Sequence, residues 1–113
     1  MRVKRSRSAR SDAPVFAALG DQTRLRLVAR LGSEGPLSIA RLTEGTDVTR
    51  QAVAKHLRVL AHAGLARSVR KGRERLWRLD AARLDEARRS LERIAERWDE
   101  ALARLKAVVE EDG

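Results

Sequence analysis

Cysteine is absent from the 113 residues, which excludes disulfides and thiolate metal sites. Two histidines, His56 and His62, stand six positions apart and so fall on different faces of any helix, a poor pair for a metal. Aromatic residues make up 3% of the chain, so the core must be built from Leu, Ala and Val. With only two prolines, long stretches are free to be helical. No apolar run is long enough to span a bilayer. The first residues are basic with no apolar stretch behind them, which argues against a secretory signal and for a cytoplasmic location. Enzyme signatures are missing as well: there is no Cys nucleophile, no Ser with an evident base, and no phosphate-cradling Gly motif behind a strand. No cofactor motif stands out. The length suits one ordinary domain.

What is abundant is positive charge. Lys and Arg number 25 against 16 Asp and Glu, a formal net charge of +9. It is concentrated in two places. Residues 1–10 carry Arg2, Lys4, Arg5, Arg7 and Arg10 with no acid, and are expected to form a disordered basic arm; whether that arm touches a partner is left open. Residues 49–79 carry Arg50, Lys55, Arg58, Arg67, Arg70, Lys71, Arg73, Arg75 and Arg78 against a single acid, Glu74. A block so one-sided is the footprint of a polyanion-binding face, and nucleic acid is the commonest such partner. A membrane surface fits less well, because the block is not one continuous amphipathic helix with large apolar residues.

The breaks between periodic segments organise the remainder, residues 11–113, as one domain. Ser11 or Asp12 caps a short first helix with Pro14 in its first turn and Val15, Phe16 and Leu19 inward; Gly20 ends it. Asp21 caps a second helix with Leu25, Leu27, Val28 and Leu31 at roughly helical spacing, stopping in a loop at 32–36. Pro36-Leu37 enters as a short extended piece. Ser38 caps a third helix, stopped by Gly45, and Thr49 caps a fourth over about 50–62, with Val53, Leu57 and Leu60 inward and Gly64 as its stop. Two short helices joined by a brief turn, the second basic and free of acid, make a helix-turn-helix. Behind it the period changes to two strands around Lys71-Gly72, a basic hairpin placed where a wing would be.

The last segment is the most regular. Leu84, Ala87, Leu91, Ile94, Trp98, Ala101, Leu105 and Val108 recur at alternating intervals of three and four, with Ala95, Leu102 and Val109 widening the stripe. Opposite charges three and four apart, such as Asp85–Arg89 and Arg89–Glu92, mark its solvated face. A helix over 81–111, capped by Asp80 or Asp85, carries more apolar face than a small domain covers. Dimerisation through Leu91, Ile94, Trp98, Leu102 and Leu105 is therefore expected.

The fourth helix reads as the element that enters a DNA groove. Thr49 at its cap can donate its hydroxyl to a phosphate, and the helix N-terminus favours an anion. Arg50 and Gln51 lie on the first turn, suited to guanine O6/N7 and adenine N6/N7 respectively. Lys55 continues that face and suits a base or a phosphate equally. Arg58 and the wing residues Arg70, Lys71, Arg73 and Arg75 suit phosphates. His56 reads as a packed core-edge residue with a backbone hydrogen bond, and His62 as a side chain favouring the negative end of the helix dipole. Trp77 reads as core; stacking on a base needs it to face outward. The alternative to a sequence-specific regulator of double-stranded DNA is a winged-helix module for protein assembly or RNA binding.

The residues also resemble a known family. The stretch from Phe16 to Val28, FAALGDQTRLRLV, resembles the "LGDPTRLRIL" opening of the ArsR/SmtB-type winged helix-turn-helix repressors. Val48 to Leu65, VTRQAVAKHLRVLAHAGL, resembles their recognition-helix signature, and Lys71-Gly72-Arg73 before Leu76-Trp77-Arg78-Leu79 resembles their wing. The resemblance implies a homodimer whose first and last helices form the interface, bringing in Phe16, and a repressor that leaves its operator when a small-molecule effector binds. The family's metal sensors carry Cys where this chain has Leu37-Ser38-Ile39-Ala40-Arg41-Leu42, or His and carboxylates on the last helix, where this chain has no His. The donors needed for metal sensing or thiol switching are thus missing, and the effector stays open.

Overall fold

In the computed structural model, which describes residues 12–112, the chain folds as five helices and one antiparallel hairpin. The order is α1 (12–19), α2 (Gln22–Glu34), α3 (Ile39–Thr43), α4 (Arg50–His62), β1 (Ala66–Lys71), β2 (Glu74–Leu79) and α5 (Ala81–Asp112). This is the expected mainly α winged helix-turn-helix with a two-stranded wing and a long C-terminal helix. The basic arm expected at 1–10 lies outside the described residues.

Four helices begin on a side chain that accepts the amide N–H three residues on. Asp21 takes Arg24 N at 3.0 Å, Ser38 takes Arg41 N at 3.2 Å, Thr49 takes Ala52 N at 3.1 Å and Asp80 takes Arg83 N at 3.1 Å. Each such cap contributes about 1 kcal/mol. The Arg83 amide, followed by the Arg67 guanidinium, holds the Asp80 carboxyl below the ordinary carboxylate range. Asp80 is therefore the α5 cap, and Asp85 pairs instead with Arg88 and Arg89 at 2.8 and 2.9 Å.

Three expectations change. Asp12 lies inside α1 and does not cap it; its carboxylate reaches α5, accepting from Arg83 Nη1 at 3.1 Å and from the Ser90 hydroxyl. Two donors, one of them charged, outweigh a single amide N–H. Helix α2 continues through Gly32 to Glu34, where Gly35 at φ 87° stops it. Glycine at 32 costs about 1 kcal/mol, and the extra turn is held by Arg30 Nε on Glu34 at 2.9 Å. Leu25 faces solvent, because it lies about 200° around the helix from Leu27, which with Val28 and Leu31 forms the inward stripe.

Val15, Leu27, Leu42, Val53, Leu57, Leu60 and Leu65 are buried completely or nearly so, one or more from each of α1 to α4 and one from the approach to the hairpin. Phe16, Leu19, Trp77, Leu79 and Leu84 pack half-buried around them. The core is aliphatic, as the composition requires. Helix α3 is only five residues long and is fixed from outside: Arg30 Nη1 donates to the carbonyls of Arg41, Leu42 and Glu44 at 3.2, 3.1 and 3.0 Å. One arginine thereby satisfies the C-terminal acceptors of α3 and sets the turn that leads into α4.

The hairpin register runs from Ala66 opposite Leu79 to Lys71 opposite Glu74, with Gly72 at φ 64° in the turn. A third extended piece joins it. Leu37 and Trp77 exchange both main-chain bonds, at 3.0 and 2.8 Å, so the segment entering α3 is tied to the middle of β2.

Candidate nucleic-acid interface

Helix α4 divides cleanly into two faces. Val53, Leu57 and Leu60 are fully buried. Gln51, Lys55 and Arg58, each two residues away and so about 200° around the axis, are exposed, as is Arg50. Ala54, between these cations, is small enough to let another surface come close. Thr49 stays exposed while its hydroxyl oxygen accepts from Ala52. Gln51, Lys55 and Arg58 thus share one solvent-facing side of α4, while Arg50, about 100° round from Gln51 and in line with Leu57, is exposed in the first turn.

The wing brings the other expected residues together. Arg70, Lys71, Arg73 and Arg75 are all exposed around the Gly72 turn. The register adds something the strand pattern does not reveal: Arg70 stands directly opposite Arg75, and Arg67 opposite Arg78. Like charges facing each other across a hairpin are unfavourable. Two of the four are partly relieved, Arg67 by Asp80 at 3.0 Å and Arg75 by donation to Ser68 Oγ at 3.0 Å. Arg78 is a further exposed cation on this hairpin, and only the pairing register puts it next to Arg67.

Trp77 is half-buried against the core, so it offers no face for stacking on a base. Its Nε1 is buried with no hydrogen-bond partner among the described residues. His56 is also a correction. Its partner is a side chain and not a backbone group: Arg24 Nη1 lies 3.1 Å from Nδ1. A guanidinium can only donate, so Nδ1 accepts and the ring proton sits on Nε2. His62 is exposed at the end of α4. Among the described residues, no three His, Cys, Asp or Glu side chains come together as a metal site.

Helix α5 is 32 residues long, about 48 Å. Leu84 and Ala87 are held by the domain, but the stripe then runs clear of it. Leu91, Ile94, Trp98, Leu102 and Leu105 all stand exposed, from 44% at Ile94 to 63% at Trp98. Phe16, on α1, is half-buried against its own core. Ion pairs line part of the polar side of α5, with Arg88 on Glu92 where spacing alone suggests Arg89. None of the described helices is long and apolar enough to cross a membrane.

Comparison with known proteins agrees with this architecture. A family described as a helix-turn-helix domain matches residues 19–69. The HTH-type transcriptional regulator Rv2034 of Mycobacterium tuberculosis is 35% identical over 92% of this chain and 94% of its own length. An uncharacterized HTH-type transcriptional regulator, YuzN of Bacillus subtilis, is 43% identical over 55% of this chain and 74% of its own. The solved structure of an ArsR-like transcriptional regulator from Rhodococcus sp. RHA1 superposes with a TM-score of 0.76 at 41% identity, covering 88% of this chain and 93% of that one.

Proposed function

The chain belongs to the ArsR-type winged helix-turn-helix regulators of transcription, and from that premise we propose a homodimeric repressor that reads double-stranded operator DNA with α4 and grips its backbone with the wing. The observation that carries the reading is the two-sidedness of α4: a fully buried Val53/Leu57/Leu60 face behind an exposed Gln51/Lys55/Arg58 face, with Arg50 exposed in the first turn. Arg50 and Gln51 supply discrimination between bases. Thr49, Lys55, Arg58, Arg70, Lys71, Arg73 and Arg75 supply phosphate affinity, and the opposed arginines of the wing gain from an anion between them.

The dimer forms through Leu91, Ile94, Trp98, Leu102 and Leu105 of α5, with Phe16 of α1 at its margin. An apolar stripe of this length, left uncovered by its own domain, favours a second copy. Two recognition helices in a twofold pair read half-sites about one helical turn apart. The division of labour follows: residues 1–10 as a basic arm, 11–113 as the winged domain, and 81–111 as the dimerisation helix within it. The protein performs no catalysis, carries no cofactor and works in the cytoplasm, where the DNA is.

The test is selection of bound DNA from a random pool, followed by affinity measurement on the selected site and on scrambled duplex. A regulator prefers the selected site by at least about a thousandfold. A chain that enriches no sequence, or prefers single-stranded RNA, is not this regulator.

A further inference from the structure

Between α1 and the C-terminal half of α4 lies a cleft of about 370 Å³, walled by Pro14, Ala17, Ala18 and Val59, with Arg24 and His62 as its polar side chains. No carboxylate of the described residues lines it. Arg24 is half-buried there and already engaged on two sides, its Nε on Ala18 O at 2.6 Å and its Nη1 on His56 Nδ1 at 3.1 Å. Its Nη2 makes no hydrogen bond among the described residues. A guanidinium with donors to spare, at the edge of an apolar cleft that holds no acid, is a carboxylate-binding arrangement. His62, which also lines the cleft, adds a second nitrogen donor.

We propose that this cleft binds a small monocarboxylate with a compact apolar body, an aromatic or short-chain acid, and that Arg24 relays its binding to the recognition helix. A carboxylate is a stronger acceptor for a guanidinium than an imidazole nitrogen is. Bound bidentate across Nη2 and Nη1, it competes for Nη1 with His56, which lies on α4 beside Lys55. The strut that ties α2 to the middle of α4 is then lost, and the DNA-reading face is held less firmly. The consequence for DNA rests on the function proposed above; the site itself does not.

The experiment titrates the full-length, isotope-labelled protein with sodium benzoate and with benzamide, its neutral counterpart, at constant ionic strength. Benzoate is expected to shift the amides of Ala17, Val59 and His62 saturably, with a dissociation constant on the order of millimolar. Benzamide is expected to bind at least about tenfold more weakly. The His56 Nδ1 resonance should move with benzoate only. Arg24→Gln should erase the difference between the two probes, and Val59→Trp, which fills the cleft and leaves Arg24 intact, should abolish binding. Equal affinity for benzamide, shifts elsewhere on the surface, a still His56 signal, or undiminished binding by Val59→Trp overturns the proposal. If the cleft and His56 respond to benzoate while affinity for the selected DNA site does not change, the site stands and the relay to α4 fails, whereas the reading role of α4 itself is tested by Arg50→Ala and Gln51→Ala.

Discussion

Asp12 accepts a hydrogen bond from Arg83 Nη1 at 3.1 Å although 71 residues separate them in the chain. The other carboxylate oxygen takes the hydroxyl of Ser90. Both donors belong to α5, both partners of the ion pair are largely buried, and the pair therefore clasps the first described helix to the last. Arg83 also reaches Glu86 at 3.2 Å and packs against the backbone at Gly64, so one side chain joins α1, α5 and the end of α4.

The clasp makes stability acid-sensitive. Ser90 first, then Arg83, lower the Asp12 carboxyl below its ordinary value against an opposing push from burial. A carboxyl depressed in the folded state contributes its full stability above the unfolded value of about 3.9, and loses it as pH falls through the folded value. The urea midpoint should therefore drop below about pH 4 in the wild type. Asp12→Asn should remove this carboxyl's share of that drop, and Asp12→Ala should cost about 1–3 kcal/mol at neutral pH. An Asp12→Asn midpoint that tracks the wild type at every pH leaves the clasp without effect.

Base reading should reside in the first turn of α4. Arg50→Ala and Gln51→Ala are expected each to lose about 1–3 kcal/mol on the selected site while barely changing affinity for scrambled duplex. Fluorescence anisotropy on the two duplexes separates these quantities. Both are exposed, so neither change should disturb folding.

Neutralising Arg70, Lys71 and Arg73 together should act differently. Each phosphate contact removed flattens the slope of log affinity against log salt by about 0.9, so a triple Ala variant should lose close to three such steps, while relative preference among sequences persists. A slope that does not move takes the wing tip off the DNA.

For the dimer, Asp is introduced at the two most telling positions of the α5 stripe. Ile94→Asp with Trp98→Asp places charge in the middle of the surface proposed to pair, and the double variant should sediment as a monomer with its helical content intact. Loss of cooperative binding to a twofold site should accompany it. A variant that remains dimeric refutes the pairing through this face.

Much of the fold is legible in the sequence because its boundaries are chemical. Asp21, Ser38 and Thr49 announce helix starts by residue type, and Gly64 and Gly72 occupy positions at φ 85° and 64° that favour glycine. The α4 cations are legible for the same reason: helical spacing alone places Gln51, Lys55 and Arg58 opposite Val53, Leu57 and Leu60. What escapes is set by long-range choice. Nothing local says that Asp12 prefers two donors on α5 to a helix amide, that His56 meets Arg24, or that Arg30 spans to the carbonyls of α3. The facing arginines of the wing escape too, since strand periodicity gives faces and not the register that decides which residues oppose each other.

The paired main-chain bonds between Leu37 and Trp77 have a mechanical consequence. They couple the doorway of the helix-turn-helix to the stem of the hairpin, so a torque applied at either reaches the other before it can dissipate in a loop. On the function proposed above, a duplex pulling on the hairpin would also orient the helices ahead of α4, so the stiffness between wing and helix-turn-helix would rest on a main-chain tie.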